Sequence, residues 1–170
     1  MILSIIIVTG ITILSGITIL ALLLNIAADR RENYNKANKI SFKESMDLVE
    51  LPIVTFINNG KKLNFLLDTG ASYSSINEGA LEGLAYQETG EIGSHFGIEG
   101  VYKEARYIKM GVTYKDQSYE GEFQVLDLSV AFGNIKQDFG INLHGILGST
   151  FFQKYKYILD FDQLIAYSMI

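Results

Sequence analysis

Apolar and polar positions divide this chain into three regimes. From Met1 to Ala28, MILSIIIVTGITILSGITILALLLNIAA is apolar on every helical face and holds no Asp, Glu, Lys or Arg. A run of that length spans a bilayer as a single helix. From Asp29 to Lys39, DRRENYNKANK has no apolar period and mixes both charges, as a solvated stalk does. Beyond Ile40, short runs rich in Val, Ile, Phe and Tyr are punctuated by Gly and Asn, the pattern of a β protein.

Within that third regime LPIVTFI, Asn58-Asn59-Gly60 and KKLNFLL predict a hairpin about a tight Asn-Gly turn. Pro52 stands at the start of its strand, where a missing N–H does little harm. Further strands are expected at Ala105–Val112, Gln117–Leu126, Lys156–Phe161 and Leu164–Met169. Helical signals are short: Asn77–Leu84, opened by an N-cap residue, and Ser149–Tyr155, with a capping serine after Gly148. The expectation is an anchor over 1–28, a stalk over 29–39 and a mostly β domain over 40–170 with one or two short helices.

Composition narrows what such a domain does. At 170 residues there is room for one domain and an appendage. A formal charge of −5 with dispersed lysines leaves no basic stripe, which excludes a nucleic-acid partner. The absence of cysteine removes disulfides, thiolate nucleophiles and Cys-based zinc sites, and leaves the redox compartment undecided. Two histidines, His95 and His144, are too few and too isolated for a metal site and read as loop or turn residues; no metal or other cofactor is assigned. Arg30, Arg31, Lys36, Lys39 and Lys43 follow the apolar span and none precede it, so charge bias favours a single-pass protein with its domain in the cytoplasm. A bacterial inner membrane is the expectation for the membrane itself. Cleavage after ALLLNIAA is the other reading of the same segment.

The chemistry concentrates at LNFLLDTGASYSSI, Leu63–Ile76. Phe65, Leu66 and Leu67 show no polar alternation, as in a strand buried on both faces, and Asp68 follows directly. One reading of Asp68 is a side chain that caps its own turn before Thr69 and Gly70. The other is a carboxylate presented for chemistry at the floor of a cleft.

FLLDTGAS resembles the active-site motif of aspartic proteases, an apolar run followed by Asp-Thr-Gly-Ala/Ser. HGILGSTFFQKYKYILDFDQLIAYS, His144–Ser168, is similar to the second signature of that fold, in which two apolar residues and a glycine precede a short helix. Ile146, Leu147 and Gly148 match the apolar-apolar-Gly element. Order and spacing resemble the retropepsin-like, single-lobe group over about Leu51 to Ser168.

That resemblance implies a retropepsin-like closed β-barrel, with Asp68 as the catalytic residue. Thr69 would hydrogen-bond across a dimer axis, Gly70 would permit close approach of backbone and substrate, Ala71 would belong to the supporting loop, and Ser72 would support the carboxylate. A mobile flap is implied over Gly90–Met110, with Gly97, Ile98 and Gly100 at its tip. Because the chain holds one Asp-Thr-Gly and no second Asp-Thr/Ser-Gly, two copies must pair for two Asp68 carboxylates to meet. The implied partners are a second copy of the chain and an extended peptide or protein substrate. Two other classes remain: a catalytically silent, membrane-tethered module that grips peptides or dimerises, and an anchored barrel that binds a small ligand. The stretch Asp127–Asn142 is longer than in the most compact relatives and reads as a surface loop or a wall of the cleft. Tyr102, Tyr107, Tyr114 and Tyr119 read as strand packing.

Overall fold

A computed structural model describes residues 16–29, 39–96 and 102–168. The chain divides into two compact units, Met1–Asn38 and Lys39–Ile170. In the first, residues 16–29 form helix α1, whose side chains are exposed throughout. Among the described residues no helix is long and apolar enough to cross a membrane. The rest of the expected anchor, residues 1–15, and most of the stalk, residues 30–38, lie outside the described residues.

The second unit is mostly β and is built around a closed six-strand barrel. Its first two barrel strands, β2 (Ile53–Asn58) and β3 (Lys61–Leu67), form the expected hairpin. Asn59 and Gly60 both take positive φ, 47° and 76°, the pair of left-handed residues that a two-residue hairpin turn of this twist demands. β4 (Ser74–Asn77), β6 (Tyr102–Tyr114), β7 (Gln117–Leu126) and β8 (Gly145–Leu147) complete the order β2-β3-β8-β4-β7-β6, and Ile57 against Thr113 closes β6 onto β2. β5 (Tyr86–Phe96) pairs with β6 as a long hairpin outside the closed ring. A separate three-stranded sheet joins β1 (Ile40–Ser41), β10 (Ile165–Ser168) and β9 (Tyr157–Asp160) in that order of neighbours.

Alternation fills the barrel. Phe56, Leu63, Phe65, Ile108 and Phe123 point inward and are buried, with the ring of Phe56 meeting Phe65, Tyr119 and Phe151 edge-on. A second, smaller cluster of Val49, Ile53, Phe132 and Leu143 packs against Leu66 and Ile146 on the outer face of β3 and β8.

Several expectations are corrected. Asn77–Leu84 is not a helix: β4 runs through Asn77 and only Glu78–Ala80 makes a single 3-10 turn. Gly79 and Gly83, the latter at φ 72°, weaken helix propagation, and the Asn77 side chain accepts the Leu128 N–H instead of capping. Helices are also more numerous than expected. α2 (Lys43–Val49) forms where the sequence reading assigns no element, α3 (Ser129–Phe139) forms within the stretch read as a surface loop or cleft wall, and α4 (Ser149–Tyr155) lies where expected. Ser149 is not the cap of α4; Gly148 holds that position and the serine hydroxyl goes elsewhere. The last two strands are shorter than expected because Lys156 and Leu164 adopt left-handed φ of 45° and 54°, incompatible with a pleat, and Met169 lies outside the described residues. His95 belongs to strand β5, not to a loop.

Candidate active site

β3 delivers Asp68 to the edge of the barrel and stops. Leu67 is the last paired residue, matched to Leu147 of the parallel strand β8, and the Asp68 N–H then donates to the Leu147 carbonyl at 3.0 Å. From there the chain crosses over the end of β8 and returns as β4 on its other side, antiparallel to β8. The loop from Asp68 to Tyr73 therefore straddles the strand that carries Ile146 and Leu147. The two sequence signatures, about eighty positions apart, meet here.

The carboxylate itself is held by backbone. Its Oδ1 accepts the Gly70 N–H at 2.8 Å, and a Cβ on Gly70 would approach that oxygen to 3.1 Å. Asp68 is half-buried, whereas Thr69, Gly70 and Ser72 are exposed and Ala71 is half-buried. The side chain thus caps its own turn and still presents itself at an open surface. Ser72 contributes through its carbonyl, which accepts the Thr150 N–H at 3.2 Å, and among the described residues its hydroxyl makes no hydrogen bond to Asp68.

α4 clamps the loop from beneath. The Ser149 N–H donates to the Ala71 carbonyl at 2.7 Å, and the Ser149 hydroxyl donates to the Thr69 carbonyl at 2.8 Å. The Gly148 N–H donates to Ser74 Oγ at 3.2 Å. Gly148 is required for this approach. A Cβ there would lie 2.4 Å from the Tyr73 carbonyl oxygen and 2.8 Å from that of Ala71. Leu147 is wholly buried in the barrel, while Ile146 faces the outer cluster with Leu66.

No family model matches the sequence, and no curated protein is significantly similar to it.

The segment Gly90–Met110, read as a flap in the sequence, falls on the hairpin β5–β6 and the residues between its strands. Its strands pair as far as Phe96 with Tyr102, and Gly97, Ile98 and Gly100 lie outside the described residues. At its base Arg106 bridges Glu88 of β5 and, at 3.6 Å, Glu78 of the turn after β4. Among the described residues no group of three His, Asp or Glu is placed to hold a metal ion.

Two features escape sequence reading. Tyr107 does more than pack: its hydroxyl accepts Gln124 Nε2 at 2.6 Å, its ring meets Tyr73 edge-on at 6.3 Å, and a Cβ at Gly93 of β5 would sit 2.6 Å from it. Gln124 is only 2% exposed, so this contact ties the end of the Asp68 loop to the hairpin over a buried polar support. Cross-strand register brings these residues together, and register is not visible in the sequence. The second feature is His144, in the connection just before β8. Its ring Nδ1 accepts the Asn64 N–H at 3.0 Å, while the His144 backbone N–H donates to the Asn64 carbonyl at 2.9 Å. Burial pushes its pKa below the ordinary histidine value.

Proposed function

We propose that this chain is a membrane-anchored aspartic endopeptidase that acts as a homodimer, with one Asp68 from each copy. The observation that carries this reading is the treatment of the Asp68 loop. A carboxylate is fixed by its own turn, tied to Leu147, and clamped by a helix that only a glycine at 148 lets come close. A turn-capping aspartate needs no such frame.

In the dimer, two carboxylates about 3 Å apart would repel by roughly 5 kcal/mol at an effective dielectric near 20 if both were ionised. The pair therefore keeps one proton between them over a broad range. The ionised Asp68 takes a proton from a water molecule, whose oxygen attacks the scissile carbonyl carbon. The protonated Asp68 donates to the carbonyl oxygen as charge develops there, and collapse of the tetrahedral species transfers a proton to the departing amine. The β5–β6 hairpin covers an extended peptide and excludes water. Residues 1–28 anchor the chain in the membrane, and confinement to that surface raises the effective concentration of partners.

The test is cleavage of a mixed peptide library between pH 4 and 7 by the full chain in detergent and by its Asp68→Asn variant. Cleavage that is inhibited by a statine peptide and lost in the variant supports the reading. Absence of cleavage with dimers present would shift the function to a peptide-gripping module of the same fold.

A further inference from the structure

Directly beyond the Asp68 loop the surface opens into a groove of about 720 Å³. Tyr73, Ser74 and Thr150 line its near end, and these belong to the same two segments whose hydrogen bonds frame Asp68. The groove is thus continuous with the candidate site. Four tyrosines line it: Tyr73 and Tyr107, which touch, Tyr86 of β5 and Tyr155 of α4. Between them Gly111 of β6 faces outward, since its neighbours Met110 and Val112 fill the barrel, and it leaves the groove without a side chain there.

Charge excludes several classes of occupant. The lining carries Lys109 and Lys154 together with Glu120 and Glu122, two cations and two anions. Lys109 pairs with Glu122 at 3.4 Å, and Lys154 Nζ donates to the Glu120 carbonyl at 2.6 Å. Both cations are engaged within the chain, so a phosphate, a nucleotide or an acidic segment gains little there. A neutral ring gains more. Tyrosine faces and edges spaced like the Tyr73–Tyr107 pair accept a further ring in the edge-on geometry that aromatic groups prefer.

The geometry points to this groove as a second recognition site that takes an aromatic side chain of the polypeptide substrate, outside the residues that flank the cut bond. The assignment of substrate as occupant rests on the endopeptidase reading above. By holding the chain at Tyr73, the groove would select among polypeptides that present equally good bonds to Asp68.

Binding tests this separately from cleavage. The chain contains no tryptophan, so the emission of a capped Ala-Ala-Trp-Ala-Ala peptide reports its binding without background. The full-length Asp68→Asn protein in detergent would be titrated with it alone, and in competition with the same peptide carrying Leu. Saturable binding is expected, with the Leu peptide competing at least about tenfold less well. Gly111→Leu fills the groove: the nearest atom to a Cβ there is Glu120 Cγ at 3.9 Å and φ is not left-handed, so the fold tolerates it. That change should weaken binding at least about tenfold, and Tyr73→Ala several-fold. Val130→Ser, on the exposed side of α3, should bind as the parent does. Circular dichroism of each variant establishes that it is folded. Absence of saturable binding, parent-like binding by a folded Gly111→Leu protein, or equal competition by the Leu peptide would overturn the groove assignment and leave the endopeptidase reading to the cleavage assay. Groove-dependent binding in a chain whose wild type cuts nothing would support the groove and overturn the endopeptidase reading.

Discussion

The Asp68 loop and the β5–β6 hairpin meet at the Tyr73–Tyr107 contact, yet they are held in opposite ways. The loop is tied at nearly every residue. Asp68 is bonded to β8, Gly70 to the carboxylate, and Thr69, Ala71 and Ser72 to the first turn of α4. The hairpin projects from the barrel, β5 pairing among the described residues with β6 alone, and Ile92 on it is 72% exposed. Chemistry needs the first kind of support, because a misplaced carboxylate loses its reacting geometry. In the proposed endopeptidase, admission of a long peptide would need the second, because a cover must lift. The Tyr107–Gln124 bond marks where one regime passes into the other.

The largest break in that contrast comes from Gly148→Ala. A methyl group driven to 2.4 Å from the Tyr73 carbonyl must push the loop off α4. The expected cost is about 3 kcal/mol of stability and the loss of nearly all cleavage, read by denaturant unfolding and by the library assay. A parent-like midpoint would mean that the clamp is not tight.

Ser149→Ala is gentler. It removes the hydroxyl that holds the Thr69 carbonyl and should cost about 1 kcal/mol or less. Cleavage should fall several-fold with KM little changed, because the loop rather than the peptide site is loosened. An equal fall for an assay-independent reason, such as aggregation, is separated by the unfolding midpoint.

The smallest effect concerns pH at the seam where β8 begins beside β3, at the end of their pairing far from Asp68. His144 accepts the Asn64 N–H at Nδ1, which only the neutral ring can do, and burial holds its pKa below the ordinary 6.5. The unfolded chain therefore takes up its proton first as pH falls. The contribution of the neutral ring is complete above the ordinary histidine range, declines as pH falls through it, and levels off once the folded protein is protonated too. Unfolding midpoints of the parent should drop between pH 7.5 and 5, and those of His144→Asn should drop less. Parallel curves would remove His144 from the seam.

Much of this architecture is legible in the sequence. Asn59-Gly60 announces the first hairpin, and Gln117–Leu126 has its observed bounds. The two glycine-bearing signatures mark segments that do come together. Helices α2 and α3 were hidden because each has a single fully buried residue, Val49 and Phe132, and α3 carries Gly133 in mid-helix. α3 is bounded by the Asp127 carboxylate, which accepts the Ser129 N–H, and by Gly140, which ends the turn at φ 73°. The apolar residues of both helices cover Leu66 and Ile146, which the uninterrupted apolar run before Asp68 foreshadows. The Tyr73–Tyr107–Gln124 contact and the reciprocal His144–Asn64 bonds were not legible, since both join residues that only register brings side by side.

The central claim is that catalysis needs two Asp68 residues from two chains. It is tested most directly by measuring cleavage after the wild-type chain is equilibrated with a nine-fold excess of Asp68→Asn. If only pairs of wild-type chains are active, random pairing predicts that activity per wild-type chain falls to about a tenth. Activity that stays constant as the variant is added would show that a single Asp68 suffices, and would contradict the account.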